Sequence, residues 1–309
     1  MLFLLTFCLF VGCKGDAKEG SAAQRSAAAT STGFSGSAAY GYAKTQFDFG
    51  PRVPNTPAAQ KAGDWIIAQM RARADTVIVQ SFTHTTADGK TLRLRNIFAR
   101  FRPELSERVL YMTHWDSRPI AESAATEAEK KLPTPGANDG ASGVGMFIAL
   151  GDVLKRSPPT VGVDLLFTDG EDYGQFGPPE VDVLLGSKYF AANLPSPGYR
   201  PLYGVLWDMI GDNDLRIPYE MNSFQEAPEV VSRVWQTAAE LGYGDIFVQE
   251  SGGLITDDHI PLLNVGIHVI DVIDLVYPHH HTPQDTMDKI SAKSLRIVGD
   301  VATALVTRK

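Results

Sequence analysis

The sequence predicts an α/β fold, a single domain whose mostly parallel, mixed central sheet carries helices on both faces. Three observations carry that prediction. Continuous apolar runs such as Val161 to Phe167 and Leu202 to Ile210 alternate with segments of helical period, the pattern of strands buried on both sides and joined by crossing helices. Clusters of polar residues fall where those runs end. The chain, 309 residues and 44% hydrophobic, is long enough to bury one large core.

Met1 to Gly12 is apolar but too short to span a bilayer at roughly 20 residues per helix, so it reads as a signal h-region. Leu9-Phe10-Val11-Gly12-Cys13 resembles a bacterial lipobox. Residues 1–13 are therefore expected to be a signal segment, with Cys13 the lipidated first residue of an exported protein anchored at the outer membrane, facing the periplasm or beyond. The other cysteine is Cys8, so a mature chain beginning at Cys13 has no internal disulfide. Residues 14–39 are Ala/Ser/Gly-rich with little to bury and are expected to form a flexible tether. The catalytic domain is placed at 40–309.

Within it, Thr56 to Arg73 spaces Ala59, Trp65, Ile66 and Met70 helically, with Pro57 suited to a first turn. Three strand-like runs follow: Thr76 to Thr83, Thr91 to Phe101 and Arg108 to Thr113, the first two joined by an Asp88-Gly89 turn. Gly143 to Lys155 predicts a helix. Val161 to Phe167 predicts a strand broken in its apolar character only by Asp164, Ser187 to Asn193 a short helix and Leu202 to Ile210 a strand. Glu229 to Leu241, Val265 to Ile273 and Ser291 to Thr307 supply a final helix, strand and helix. No internal repeat is present.

A net charge of -8 repels nucleic-acid backbones and anionic membranes, which leaves small molecules or peptides as substrates. In open α/β sheets ligands bind at the carboxyl ends of strands. The polar clusters Thr113 to Ser117, Gly136 to Gly140, Thr168 to Asp172, Asp208 to Gly211 and Tyr277 to Thr282 are expected to converge there. Each has a plainer role available: Asp139 as a turn or cap residue, Glu171 and Asp172 as a solvated pair, Asp208 as a strand-end charge, His114 as a core histidine. GASGVG, beginning at Gly140, lacks the spacing of a phosphate-binding loop. Jointly, the carboxylates and imidazoles offer the N/O donors Zn²⁺ takes, and the absence of cysteine after Cys13 excludes a thiolate site. A catalytic centre with three protein ligands and an open position fits best.

The motifs HWDS, GANDGASG, FTDGED, LLGSKYF, DMIGD, ITDDHIP and HHTPQDT occur in this order. From Phe49 to the C-terminus the chain resembles the zinc aminopeptidase and animal-type glutaminyl cyclase superfamily, and HWDSRP with the DDHIP loop resembles its bacterial cyclase branch. The resemblance implies that Asp139, Asp172 and His281 hold one Zn²⁺ per chain, that Glu171 is the proton shuttle, and that Asp208 and Asp257 are hydrogen-bonded carboxylates beside it. Asp172 stands where many relatives have glutamate, and His280 where animal cyclases have tryptophan. His279 and His280 remain alternative ligands. Ile255, Val276 and His280, with the Leu275 to Tyr277 segment, are expected to shape a small apolar substrate pocket.

On this resemblance the chain is expected to convert N-terminal glutamine of peptides or proteins to pyroglutamate with release of ammonia. The alternative is a two-zinc aminopeptidase, in which His114 and Asp208 hold a second ion and Asp139 bridges. A third reading, a catalytically silent binding domain, is opposed by the presence of Glu171 and every ligand.

Overall fold

The structure, a computed structural model, describes residue 2 and residues 32–308. The chain divides into two units, residues 1–30 and 31–309. The signal segment, Cys13 and most of the expected tether lie outside the described residues. Among the described residues no helix is long and apolar enough to cross a membrane.

The first element is a helix that the composition conceals. α1 (Gly36–Phe47) begins four residues before the predicted domain start, capped by Ser35, whose side chain accepts from Ala38 N. Small residues bring it close to its neighbours: a Cβ on Gly36 would meet Ala292 O at 2.0 Å. α2 (Pro57–Arg71) follows the predicted span, with Thr56 accepting from Ala59 N and Pro57 in its first turn. β1 (Thr76–Thr85) and β2 (Thr91–Phe101) form an antiparallel hairpin from Thr76↔Arg100 to Thr85↔Thr91. Gly89, at φ +85°, supplies its turn.

β3 (Arg108–His114), α3 (Ala141–Arg156), β4 (Gly162–Thr168), α4 (Leu185–Ala192) and β5 (Tyr203–Asp208) form the centre. β6 (Ile217–Glu220), α5 (Met221–Glu226), α6 (Pro228–Glu240) and β7 (Phe247–Gly253) then make an outlying unit in which β6 and β7 pair as a two-stranded parallel sheet. α7 (His259–Leu263), β8 (Val269–Ile273) and α8 (Ala292–Thr307) complete the fold. The predicted strand from Val265 is shorter than expected, because Gly266 at φ +77° and the Ile267 N to Leu262 O bond close a turn after α7.

The main sheet has six strands in the order β1-β2-β4-β3-β5-β8. β3 is parallel to β4 and β5, and β5 to β8, while β2 is antiparallel to both β1 and β4. Successive residues serve opposite faces. Tyr111, Leu165 and Trp207 join Phe147, Leu295 and Val298 from α3 and α8 in one buried cluster, whereas Leu110, Met112, Leu166 and Leu206 join Phe190 and Leu262 from α4 and α7 in another. Burial of each large apolar side chain contributes about 1.5–3 kcal/mol. The glycines of GASGVG serve this packing: a Cβ on Gly143 would meet Thr113 Oγ1 at 2.0 Å, and one on Gly145 would meet Ala39 O at 2.4 Å.

Asp164, the one charge in the apolar β4, is fully buried and answered in full. Arg108 Nε donates to Oδ2 at 2.7 Å and Nη2 to Oδ1 at 2.5 Å, Arg100 Nε reaches Oδ1 at 3.1 Å, and the Tyr199 hydroxyl donates at 2.8 Å. Asp164→Ala strands the buried Arg108 guanidinium, so chemical denaturation should show a loss of about 3–5 kcal/mol. A loss below about 1 kcal/mol would mean the pair contributes no more than a surface salt bridge.

Candidate metal centre

Parallel pairing puts the carboxyl ends of β3, β4, β5 and β8 along one edge, with His114 opposite Thr168 and Asp208 opposite Ile273. The loops leaving that edge carry the polar clusters, and the fold brings them together. Asp139 closes the turn before α3. Its backbone is held from the far side by Asp285, whose Oδ1 accepts from Asn138 N at 2.8 Å and from the Tyr277 hydroxyl at 2.7 Å, and whose Oδ2 accepts from Asp139 N at 3.2 Å. The fully buried Arg52 donates to the carbonyls of Pro135 and Gly136 in the same turn. Burial, then the Asp139 charge, pushes the Asp285 carboxyl up to about 7. Asp116 plays the matching part for the β4 loop, accepting from Glu171 N and Asp172 N at 3.2 Å each.

The two oxygens of Asp139 face different partners. Oδ1 lies 3.0 Å from His114 Nε2, which is itself 3.2 Å from Asp208 Oδ1. Oδ2 lies 3.6 Å from His281 Nε2, which is 3.3 Å from Asp172 Oδ1. Neither His114 nitrogen, nor Asp139 Oδ2, nor Asp172 Oδ2 has a hydrogen-bond partner, although all are buried. The His114 contacts are within ion-pair distance but poorly aligned as hydrogen bonds. Unpartnered buried polar atoms of this type are costly unless something else satisfies them, and an N/O set of carboxylates and imidazoles fits Zn²⁺.

Two groups of three among the described residues place one ligand atom each within 4.8 Å of one another: Asp139, His280 and His281, and His114, Asp139 and Asp208. Asp172 stands beside the first group through His281. Of the three consecutive histidines, His281 turns inward, using a left-handed backbone at φ +55° that costs a non-glycine residue about 1–2 kcal/mol. His280 lies against it with ring centroids 3.6 Å apart, 45% exposed, its Nε2 3.9 Å from Asp139 Oδ2. His279 lines a separate hollow with Asp212 and Asp274.

Electrostatics separate the groups by role. Burial pulls the His281 imidazole down, but Asp172, Glu122 and Asp139 overcome it and raise it to about 10. Burial likewise opposes a charge on His114, and Asp208, Asp116 and Asp139 hold it well above its ordinary value. Asp139 is pushed down despite burial, chiefly by His114 and His281. Glu171 is driven well above the carboxylate range by burial and then by Asp257; Asp257 is driven there by burial and then by Asp208. Asp257 Oδ1 accepts from Asp258 N, and the Asp258 side chain accepts in turn from the Thr168 and Ser187 hydroxyls.

A cavity of about 740 Å³ opens over these groups, lined by Glu171, Asp208, Asp257 and His280, with Ile255, Leu275, Phe176, Ile120 and Leu254 as its apolar wall. Val276 is not part of it. The Asp274 carboxylate accepts from Val276 N at 3.1 Å, and this turn leaves Val276 69% exposed while Leu275 lines the cavity and Tyr277 turns inward. Asp116, Asp285, Arg118 and Glu122 were given no role from sequence, although HWDS and HHTPQDT contain the first two.

Residues 96–306 match the model of peptidase family M28. A solved glutaminyl cyclase of Porphyromonas gingivalis is 38% identical, with a TM-score of 0.85 over 88% of this chain and 98% of that one. A solved leucine aminopeptidase precursor from Bacteroides thetaiotaomicron is 36% identical, with a TM-score of 0.86 over 89% of this chain and 98% of that one. Aminopeptidase YwaD of Bacillus subtilis is 25% identical over 266 residues, 82% of this chain and 51% of its own length, so the chain spans about half of that relative. The match to the family model extends from β2 through α8 and encloses the whole convergent edge, and the chain belongs to peptidase family M28.

Proposed function

We propose that the chain is a glutaminyl-peptide cyclotransferase, with one Zn²⁺ held by Asp139, Asp172 and His281. The observation that carries this reading is a pair of buried carboxyls lining the cavity, Glu171 raised by burial and then by the Asp257 charge, Asp257 raised by burial and then by the Asp208 charge. Similarity to the P. gingivalis cyclase over nearly all of that protein supports it.

Zinc bound there supplies Lewis acidity towards the γ-carbonyl of an N-terminal glutamine. In its carboxylate form Glu171 takes a proton from the α-amine as that nitrogen bonds to the γ-carbon. The bond from that carbon to the amide nitrogen breaks, and Glu171 returns the proton to the departing ammonia. Asp257, raised by burial and by the neighbouring Asp208 charge, holds the leaving nitrogen. Ile255 and Leu275 keep the side chain folded towards its own amine; such intramolecular geometry is worth effective molarities of about 10⁵ to 10⁸ M.

A second reading has a specific observation behind it. His114, Asp139 and Asp208 converge within 4.8 Å, which suits a second ion and an aminopeptidase. The purified protein should release ammonia from Gln-initiated peptides at least about 100-fold faster, in kcat/KM, than it cleaves Leu-amides, a difference of about 2.7 kcal/mol in transition-state stabilisation. The reverse ranking would sink the cyclase reading in favour of the peptidase.

A further inference from the structure

Four side chains at the mouth of the cavity close a ring. Arg118 Nη1 donates to Asp172 Oδ1 at 2.8 Å, and Arg118 Nε donates to Glu122 Oε2 at 2.6 Å. The other Glu122 oxygen lies 2.8 Å from His281 Nδ1, and His281 Nε2 returns to Asp172 Oδ1 at 3.3 Å. The loop backbone follows the same path, since Ser123 N donates to His281 O at 3.2 Å. Phe176 lies 5.6 Å from the Arg118 guanidinium and extends the ring to the cavity wall.

We propose that Glu122 is a positioning residue for the metal centre. It accepts the Nδ1 proton of His281 and so fixes the tautomer whose Nε2 lone pair faces Asp139 and Asp172. A histidine ligand whose second nitrogen donates to a carboxylate is oriented and made more basic, and loss of such a partner costs about 10- to 100-fold in metal affinity. Glu122 has a second effect through Arg118. With both carboxylates present the guanidinium is shared between Glu122 and Asp172; without Glu122 its whole charge falls on Asp172 and competes with a cation for that oxygen.

The inference rests on His281 and Asp172 being zinc ligands, and one experiment separates the two ideas. Zinc dissociation constants are measured by chelator competition for the full chain, E122Q and E122A, together with the visible absorption of the cobalt(II)-loaded proteins and the thermal midpoint of each metal-free form. E122A should bind zinc about 10- to 100-fold more weakly, with a shifted cobalt band and a metal-free midpoint within about 2 °C of the parent. E122Q, which keeps an oxygen for His281 but loses the charge, should fall between them. Zinc affinity within about twofold of the parent in both variants, with unchanged cobalt bands, overturns the role of Glu122 while leaving the metal site standing. Failure of the parent chain to bind zinc overturns the metal site and the positioning role together.

Discussion

Glu171→Gln should lower ammonia release from a Gln-initiated peptide by about 10²- to 10⁴-fold, the range that a positioned general acid–base contributes, while zinc affinity stays within about twofold. The two halves of that expectation come from one local arrangement. Glu171 and Asp172 are adjacent, and Asp116 holds the amides of both, so their side chains leave the loop in different directions. Asp172 points to His281, 3.3 Å away. Glu171 reaches the cavity, its nearest imidazole contact being His114 Nδ1 at 3.8 Å. Glutamine keeps the shape and can still hold the substrate by hydrogen bonds, so KM should move little. It cannot carry the proton between amine and ammonia. Steady-state kinetics by coupled ammonia assay, with zinc measured on the same samples, checks both halves. Zinc lost with Glu171 would place that carboxylate among the ligands; turnover retained would leave the proton to another group.

The parts of the fold legible in the sequence were those whose burial is periodic. α2, α3, α6 and α8 lie within a few residues of their predicted spans because each presents an apolar stripe or is buried throughout. α1 escaped because its contacts are made by Gly36, Ala39 and Ala43. Small residues give closeness rather than a hydrophobic signal, and their composition matches that of a linker. β6 and β7 escaped for a different reason: Ile217–Glu220 is four residues with a proline, and Phe247–Gly253 carries Gln249, Glu250 and Ser251 in succession and buries only Phe247.

At the site, the residues that converge were legible because they are polar at strand ends. Those that hold them were not. Asp285 and Asp116 act through backbone amides, and Arg118 and Glu122 through other side chains. Their residue types fit any solvated loop, and only the tertiary distances assign them work. Val276 illustrates the converse. It was expected to line the cavity together with its neighbours in the Leu275 to Tyr277 segment, but a tight turn at Asp274 keeps Leu275 on the wall and turns Val276 out to solvent.

Removal of zinc with a chelator should abolish ammonia release, and one equivalent of Zn²⁺ should restore it. Zinc at about 1,000 times its dissociation constant contributes about 4 kcal/mol of stability, so the metal-free protein should also melt lower. Protons provide an independent count of ions. In the metal-free protein Asp172, Glu122 and Asp139 raise His281 to about 10, and Asp208, Asp116 and Asp139 hold His114 well above its ordinary value. The His281 imidazole therefore carries a proton at pH 7, the carboxylates around His114 favour its charged form, and a ligand imidazole must give its proton up. An ion at Asp139, Asp172 and His281 displaces the His281 proton and leaves His114 paired with Asp139 and Asp208, with the Asp208 charge still beside Asp257. A second ion displaces the His114 proton as well and takes Asp208 out of that partnership. Proton release should thus stop growing after the first equivalent, at the point where activity is complete. If release and activity both continue to a second equivalent, Asp208 is a ligand, Asp257 has lost its partner, and the chemistry is that of a peptidase.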